Sequence, residues 1–439
     1  MNTMAKWGWL GACVGLAVAA CHVGGGYTVG GNVTGLRGSG LVLQDNSGDS
    51  LSVSGNGGFQ FSSGIDQGGA YSVTVQTQPS GQTCVVHNGA GTIGTADIDN
   101  VVVNCSQPGA YAYVVNMSSN SISAFSIDAS TGALSPVSGS PFASTGTTPV
   151  AAVVDPNGTY LYVANNASNT VSVYAIDAST GSLSELGEPI GTGSGPFAVL
   201  VDPADQFLYV ANKTDSTVSV FSISSGELTE ISGSPFAVGA QPTSLATDPG
   251  ANFLYVTSYT DGSVYAFSIE PGAGSIAAIG GSPFGAGAGA LSITIDPTGT
   301  YAYVANETGH SISLYSIDTG TGALVPLSGS PLATQTQPES LAVDPAGRFL
   351  LAADVTAGND LSSYAITPST GALTRASSAA AGEFPLSVAI DPAGNFAYVA
   401  NENSNNVSVY SINATTGALA VVPGSPFPAG GDSRSIAID

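Results

Sequence analysis

Positive charge is what this chain has least of. Lys and Arg together number 6 in 439 residues, against 30 Asp and Glu, for a formal net charge of −24. Nucleic acids and anionic lipid surfaces are both held through Lys and Arg, so neither is expected as an electrostatic partner. Histidine is as scarce, at 3, and cysteine stands at 4. Two late Cys alone do not supply the four ligands of a zinc shell. No CxxCH haem-attachment motif occurs, and Met117 is the one Met beyond the N-terminal segment. EF-hand and nonapeptide calcium spacings are missing too, and Ca²⁺ wants six or more oxygens. No cofactor and no metal is expected. Long apolar runs are confined to the N-terminus. Elsewhere apolar residues alternate with Ser, Thr and Gly, the pattern of half-buried strands. An exported, soluble all-β protein fits this composition.

The chain opens MNTMAKWGWLGACVGLAVAAC. Lys6 gives a short positive start, and Trp7 to Ala17 is an apolar stretch too short to span a bilayer. Val18-Ala19-Ala20-Cys21 then resembles the lipobox of bacterial lipoprotein signals. That resemblance implies a signal over 1–20, a lipidated Cys21 as mature N-terminus and a tether over 21–26. An ordinary signal peptide cleaved nearby is the competing reading. His22, in place of Asp, implies the outer membrane under the Gram-negative sorting rule.

Residues 27–105 hold short β-type runs such as YTVGGNVTGL, GLVLQDNS, GFQFSSG and AYSVTVQTQP, divided by turn residues. About seven strands in this length suggest a small β-sandwich. The pattern resembles the Ig-like or carboxypeptidase-regulatory-like modules of bacterial surface proteins. In an exported chain Cys84 and Cys105 are expected to pair as a disulfide. Residues 106–110 read as a linker.

From Tyr111 to Asp439 the chain repeats. Asp155, Asp202, Asp248, Asp296, Asp344, Asp391 and Asp439 follow one another at intervals of 47, 46, 48, 48, 47 and 48 residues. Periods of this length with strand patterning inside predict propeller blades. Around Asp248, TSLATD, FLYVTS, GSVYAFSI and SIAAIGGSPF predict four strands per unit. The second strand recurs as YVVN, YVAN, YVAN, YVTS, YVAN, LAAD and YVAN, which counts seven blades. The unit at Tyr111 lacks a first strand of its own, and RSIAID at the other end is expected to supply it, closing the ring.

These repeats, DPxGxxLYVAN with VSVYxI, TGxL and GSPF, resemble the seven-bladed β-propeller lactonase family of the 6-phosphogluconolactonase type, which shares YVAN/YVTN repeats with microbial surface proteins. The resemblance covers 111–439. It implies that any chemistry sits on one face, around the central channel, where family enzymes gather His, Arg and acidic side chains. Here the propeller offers one His, His310, and the cations Lys213, Arg348, Arg375 and Arg434, which read as scattered across blades. Strand register sets Val150, Phe197, Thr243, Leu291, Glu339, Leu386 and Arg434 around the channel mouth. Glu339 and Arg434 are the odd members, and Asp354 stands where other blades have Asn. These three are the candidate site residues, with an ion pair or solvated rim as the plainer reading. Glu383 and Asp432 lie in adjoining loops.

Two functions fit the sequence. The anchor, the scarcity of His and cations, and the Ser/Thr/Asn-rich loops favour a monomeric, non-catalytic propeller that binds an envelope polymer, peptide or protein. The alternative is a lactone hydrolase with its site at the channel mouth.

Overall fold

The computed structural model describes residues 26–36, 40–46, 48–79, 82–106, 111–334, 336–355 and 358–439. The signal segment, Cys21 and all but Ser106 of the expected linker lie outside them. Described residues 26–106 form two four-stranded sheets. Alternate residues of both, among them Val29, Val33, Leu41, Leu43, Phe61, Val101 and Val103, close one shared core. This portion has eight strands rather than seven; Ala90–Thr92 is the extra one, three exposed residues with no apolar alternation to announce it. Cys84 lies directly opposite Cys105 on neighbouring antiparallel strands, and the two are bonded.

The rest is a seven-bladed β-propeller, each blade an antiparallel sheet stepping outward from the axis. Blade 2 shows the plan: Pro149–Val154 innermost, then Tyr160–Asn165 and Thr170–Ile176, with Leu183–Glu185 outside. The ring closes in blade 1, where Ser433–Ile438 pairs antiparallel with Tyr111–Asn116. Closure covers the edge of Tyr111–Asn116, on which another strand could otherwise grow.

Each repeated motif has a physical task. In DPNGTY, Asp155 Oδ1 accepts the backbone N–H groups of Thr159 at 2.6 Å and Tyr160 at 2.8 Å. The equivalent Asp of blades 3 to 7 accepts the same two amides. The Asn that ends YVAN is fully buried and spends its two side-chain donors on the third strand: Asn165 Nδ2 donates to Thr170 Oγ1 at 3.3 Å and Ser172 Oγ at 3.0 Å. In three blades the Tyr of the same motif also bonds to the neighbouring blade. Tyr113, Tyr255 and Tyr303 are fully buried, and each donates its hydroxyl to the carbonyl of Gly181, Gly322 or Gly371 in the next blade. Such a bond adds about 0.5–1.5 kcal/mol to the larger gain from burying the ring. The glycine is required there: Gly181 has φ +71°, and a Cβ on it would meet the Tyr111 ring at 2.2 Å.

The fourth strand differs from the single run expected. In blade 4 it is split into Ile276–Ala278 and Phe284–Gly285, both paired with Ser263–Ile269. The break would orphan an amide of the third strand, and the Ser of SPF takes it: Ala266 N–H donates to Ser282 Oγ at 3.0 Å. Blades 1, 3, 5 and 7 repeat this contact. Blade 6 has no SPF, and its outer strand runs unbroken over Leu373–Ala380.

Candidate active site

At the start of every inner strand the pairing slips by one residue. Pro149 faces Asn165 and Ala151 faces Ala164, so Val150 is left as a bulge. The same slip leaves Phe197, Thr243, Leu291, Glu339, Leu386 and Arg434 unpaired. A bulge re-aims a side chain out of the sheet's alternation. These seven bulged residues bound one cavity of about 210 Å³ on the channel axis. Glu339 and Arg434 therefore do meet in one cavity.

A second ring sits over the first. It is made by the residue that follows the buried polar residue near the end of each second strand, Asn in five blades, Ser258 in blade 4 and Asp354 in blade 6. Its amide is clamped to the inner-strand approach of its own blade: Lys213 N–H to Gly195 O at 2.8 Å, Tyr259 to Gln241 at 3.1 Å, Glu307 to Gly289 at 2.9 Å and Glu402 to Phe384 at 2.9 Å. The accepting residues have φ between +54° and +68°. The clamp fixes where each second-ring side chain leaves the backbone.

The charges of the two rings interlock. Arg434 Nη1 donates to Glu402 Oε1 at 2.9 Å, with side-chain exposures of 23 % and 14 %. Its guanidinium carbon also lies 5.3 Å from the centre of the Phe197 ring. Lys213 Nζ lies over the same ring at 4.2 Å, and 5.5 Å from the Tyr259 ring. Tyr259 donates its hydroxyl to Glu307 Oε2 at 2.7 Å, and that contact pushes the phenol up to about 12. Burial, reinforced by the Glu307 carboxylate, pushes Glu339 up to about 7 against the pull of Arg434 and Lys213. Burial first, and then Arg434, lowers the Lys213 ammonium.

The cations are thus not all scattered. A propeller brings the inner ends of all blades to one axis, so Lys213 of blade 3 and Arg434 of blade 1 meet on one aromatic ring. The remaining candidates lie elsewhere. Asp354 is absent from the cavity lining and buried inside blade 6, accepting the Ser362 hydroxyl at 2.5 Å. The charges acting on it are Arg375 and Asp360, not Glu339 or Arg434. The backbone end of the second strand points its side chain into the sheet's own layers, which is where the Asn of the other blades sits. His310 is exposed in its loop. Arg348 pairs with Asp344 at 2.8 Å in the first turn, at the far end of the channel. Glu383 is exposed, and the Asp432 carbonyl serves the clamp of blade 1. Among the described residues no group of three or more His, Cys, Asp or Glu is placed to hold a metal ion.

A carboxyl that titrates near neutrality, beside two cations and under apolar walls from Phe197, Leu291 and Leu386, can take and return a proton while a cation offsets negative charge on a substrate oxygen.

The comparisons agree with this architecture. The sequence matches the family described as lactonase, 7-bladed beta-propeller, over residues 70–199, 190–289 and 264–430. No curated protein matches it. Among solved structures, a putative 6-phosphogluconolactonase from Bacteroides uniformis is similar at 21% identity and a TM-score of 0.68, over 76% of this chain and 100% of that one. A second, from Bacteroides fragilis, gives 19% and 0.66 over 75% and 97%. The periplasmic gluconolactonase of Pseudomonas aeruginosa gives 20% and 0.65 over 75% and 98%. Identities this low speak for the fold, while the sequence match itself spans most of the chain. The chain belongs to the seven-bladed β-propeller lactonase family.

Proposed function

We propose that this protein hydrolyses a lactone at the channel mouth. Glu339 carries the reading: it is the one bulge-ring carboxyl, and its environment pushes it up to about 7. As the carboxylate it takes a proton from water, and the hydroxide so formed attacks the lactone carbonyl. Arg434, already oriented by Glu402, offsets the charge that develops on the carbonyl oxygen. The ring C–O bond then breaks, and the Glu339 carboxylic acid returns its proton to the leaving alkoxide. The product is the open hydroxy acid. Leu291, Leu386 and Phe197 give the ring carbons an apolar seat.

Two observations support catalysis over the non-catalytic binding module that the composition favours. That module rests in part on the scarcity of cations, and two of the few present meet at the mouth. Family membership points the same way. The test is turnover of a panel of γ- and δ-aldonolactones by the full-length chain. Hydrolysis above the spontaneous rate is expected, falling about 10²–10⁴-fold in Glu339→Gln; a panel left untouched would overturn the proposal. We also propose that Cys21 is lipidated and holds the protein at the outer membrane, tested by fatty-acid labelling that Cys21→Ser should abolish.

A further inference from the structure

The mouth cavity, at about 210 Å³, is smaller than the 300–1,000 Å³ usual for drug-sized ligands. Beside it, between blades 4 and 5, lies a separate open groove of about 610 Å³. The two abut. Gln241 and Gly289 line the groove and stand two residues before Thr243 and Leu291, which line the cavity. Two residues of chain span at most about 7 Å. Tyr259 joins the two spaces: its side chain borders the groove, and its hydroxyl donates to Glu307 Oε2 at 2.7 Å, whose charge acts on Glu339.

Blade 4 departs from the repeat at this groove. Elsewhere a buried Asn donates to the Ser seven residues on, as Asn212 does to Ser219 and Asn306 to Ser313, both at 2.9 Å. Blade 4 has Ser258 and Tyr265 in these places. The smaller Ser makes room for the phenol, and Gly239 beside them could carry no Cβ, which would meet the Tyr265 ring at 2.1 Å. The exchange fixes Asp261, an exposed groove residue. Its Oδ2 accepts the Ala240 N–H and the Tyr265 hydroxyl, both at 3.0 Å. Ser258 Oγ lies 2.8 Å from the same oxygen, its one proton shared with the Ala240 carbonyl at 2.6 Å. The Ala240 amide first, then the two hydroxyls, hold this carboxyl below its ordinary range. All these contacts fall on Oδ2, so Asp261 is an oriented carboxylate with Oδ1 left to accept from a ligand.

An aromatic ring, a held carboxylate, the Gln241 amide and the hydroxyls of Thr260 and Thr308 form a set suited to a sugar. The ring offers its face to C–H bonds, and the carboxylate takes charge-assisted hydrogen bonds from ring hydroxyls. Asp261 here and Glu307 at the mouth repel an anionic substituent. We propose that the groove is a subsite for a neutral sugar attached to the lactone ring, so that the substrates are glycosyl-lactones of at least two sugar units. This rests on the hydrolytic reading above and assigns its substrate class: the cavity holds the lactone ring, and the groove holds the sugar beyond it.

The test compares kcat/KM, on the full-length chain, for glucono-1,5-lactone, its 4-O- and 6-O-glucosyl forms, and the matching glucuronosyl forms. Stacking plus a charge-assisted hydrogen bond corresponds to about 10- to 100-fold. The better glucosyl form is expected to lead the bare lactone by at least about tenfold, and its glucuronosyl counterpart to lag behind it. Ala288→Trp, which fills the groove from an exposed residue outside both rings, should bring the lead to near unity. Asp261→Asn should erase the preference for glucosyl over glucuronosyl. No lead for either glucosyl form, a lead for a glucuronosyl form, or an Ala288→Trp variant that slows all substrates equally overturns the assignment. Calorimetry with gluconolactam and its glucosyl forms, which are not hydrolysed, separates this proposal from the hydrolytic one. Tighter binding of a glucosyl lactam, lost in Ala288→Trp, without turnover of any lactone sinks hydrolysis and leaves the subsite standing. Turnover with equal binding of all lactams sinks the subsite alone; no binding and no turnover sinks both.

Discussion

Changing Asp354 to Asn should stabilise the propeller, and the structure says by how much. In most blades this position is a buried Asn with two donors and two acceptors for them. Asn306 Nδ2 donates to Ser311 at 3.1 Å and Ser313 at 2.9 Å. Asn401 Nδ2 donates to Asn406 Oδ1 at 2.8 Å and Ser408 at 2.9 Å. Blade 6 offers matching acceptors, the Ser362 hydroxyl and the Asp360 carboxylate, but an ionised Asp354 has no proton to donate. Ser362 donates to it in reverse, and its other carboxylate oxygen has no hydrogen-bond partner among the described residues. Asn212 and Asn306 leave their own Oδ1 without a partner among the described residues as well, so what Asn removes is the charge: an under-satisfied buried polar group costs about 1–3 kcal/mol, and more when it is ionised. The pull lost from the exposed Arg375 is at most about 1 kcal/mol. A net gain of about 1–2 kcal/mol at pH 8 follows. The pH dependence has a fixed sign. Burial raises the Asp354 carboxyl above its unfolded value of 3.8, opposed by the nearby hydroxyls and Arg375. The native state therefore binds the proton more tightly than the unfolded chain, and wild-type stability falls as pH climbs through the folded value. Asp354→Asn removes that slope, so its advantage in thermal melting should be larger at pH 8 than at pH 4. A variant that melts lower at pH 8, or loses lactone turnover while its fold is intact, would refute the reasoning and return Asp354 to the chemistry.

Two further outcomes follow from the fold. Removing Arg434 to Asp439 strips blade 1 of its inner strand, exposes the edge of Tyr111–Asn116 and should give a protein that aggregates on expression; a truncated chain with the melting temperature of the full one would contradict ring closure. Replacing Cys84 and Cys105 by Ser opens a link spanning 21 residues, which on chain-entropy grounds should lower the stability of residues 26–106 by about 3 kcal/mol, read by urea denaturation.

Much of this was legible in the repeats. A strand period fixes which residues face inward, so counting back from each DP turn reached the bulge ring, including Glu339 and Arg434. The second ring escaped that count because it belongs to another strand and is positioned by a clamp between loop and inner-strand approach. Its signal was nonetheless present: the residue after each YVAN-type segment varies from blade to blade as Met117, Asn166, Lys213, Tyr259, Glu307, Val355 and Glu402, while the segment itself ends in Asn in five of the seven blades. Variation beside a near-constant structural residue marked the functional position. Asp354 misled for the converse reason. It breaks a structural pattern, and a break inside a blade's own layers alters stability without reaching the mouth. The split fourth strand was hidden because Ser, Pro and Phe read as the tail of one strand, although the Ser side chain stands in for the missing backbone partner.

If Glu339 works as a base at the channel mouth, its titration sets the pH dependence of kcat/KM. With the best lactone of the panel, corrected for spontaneous hydrolysis, kcat/KM should rise with pH through an apparent pKa near the value of about 7 to which burial and Glu307 push this carboxyl, then level off, because only the carboxylate accepts a proton from water. Glu339→Gln should erase both the rate and the inflection. A flat profile from pH 5 to 8, or an inflection that survives in Glu339→Gln, would contradict the account.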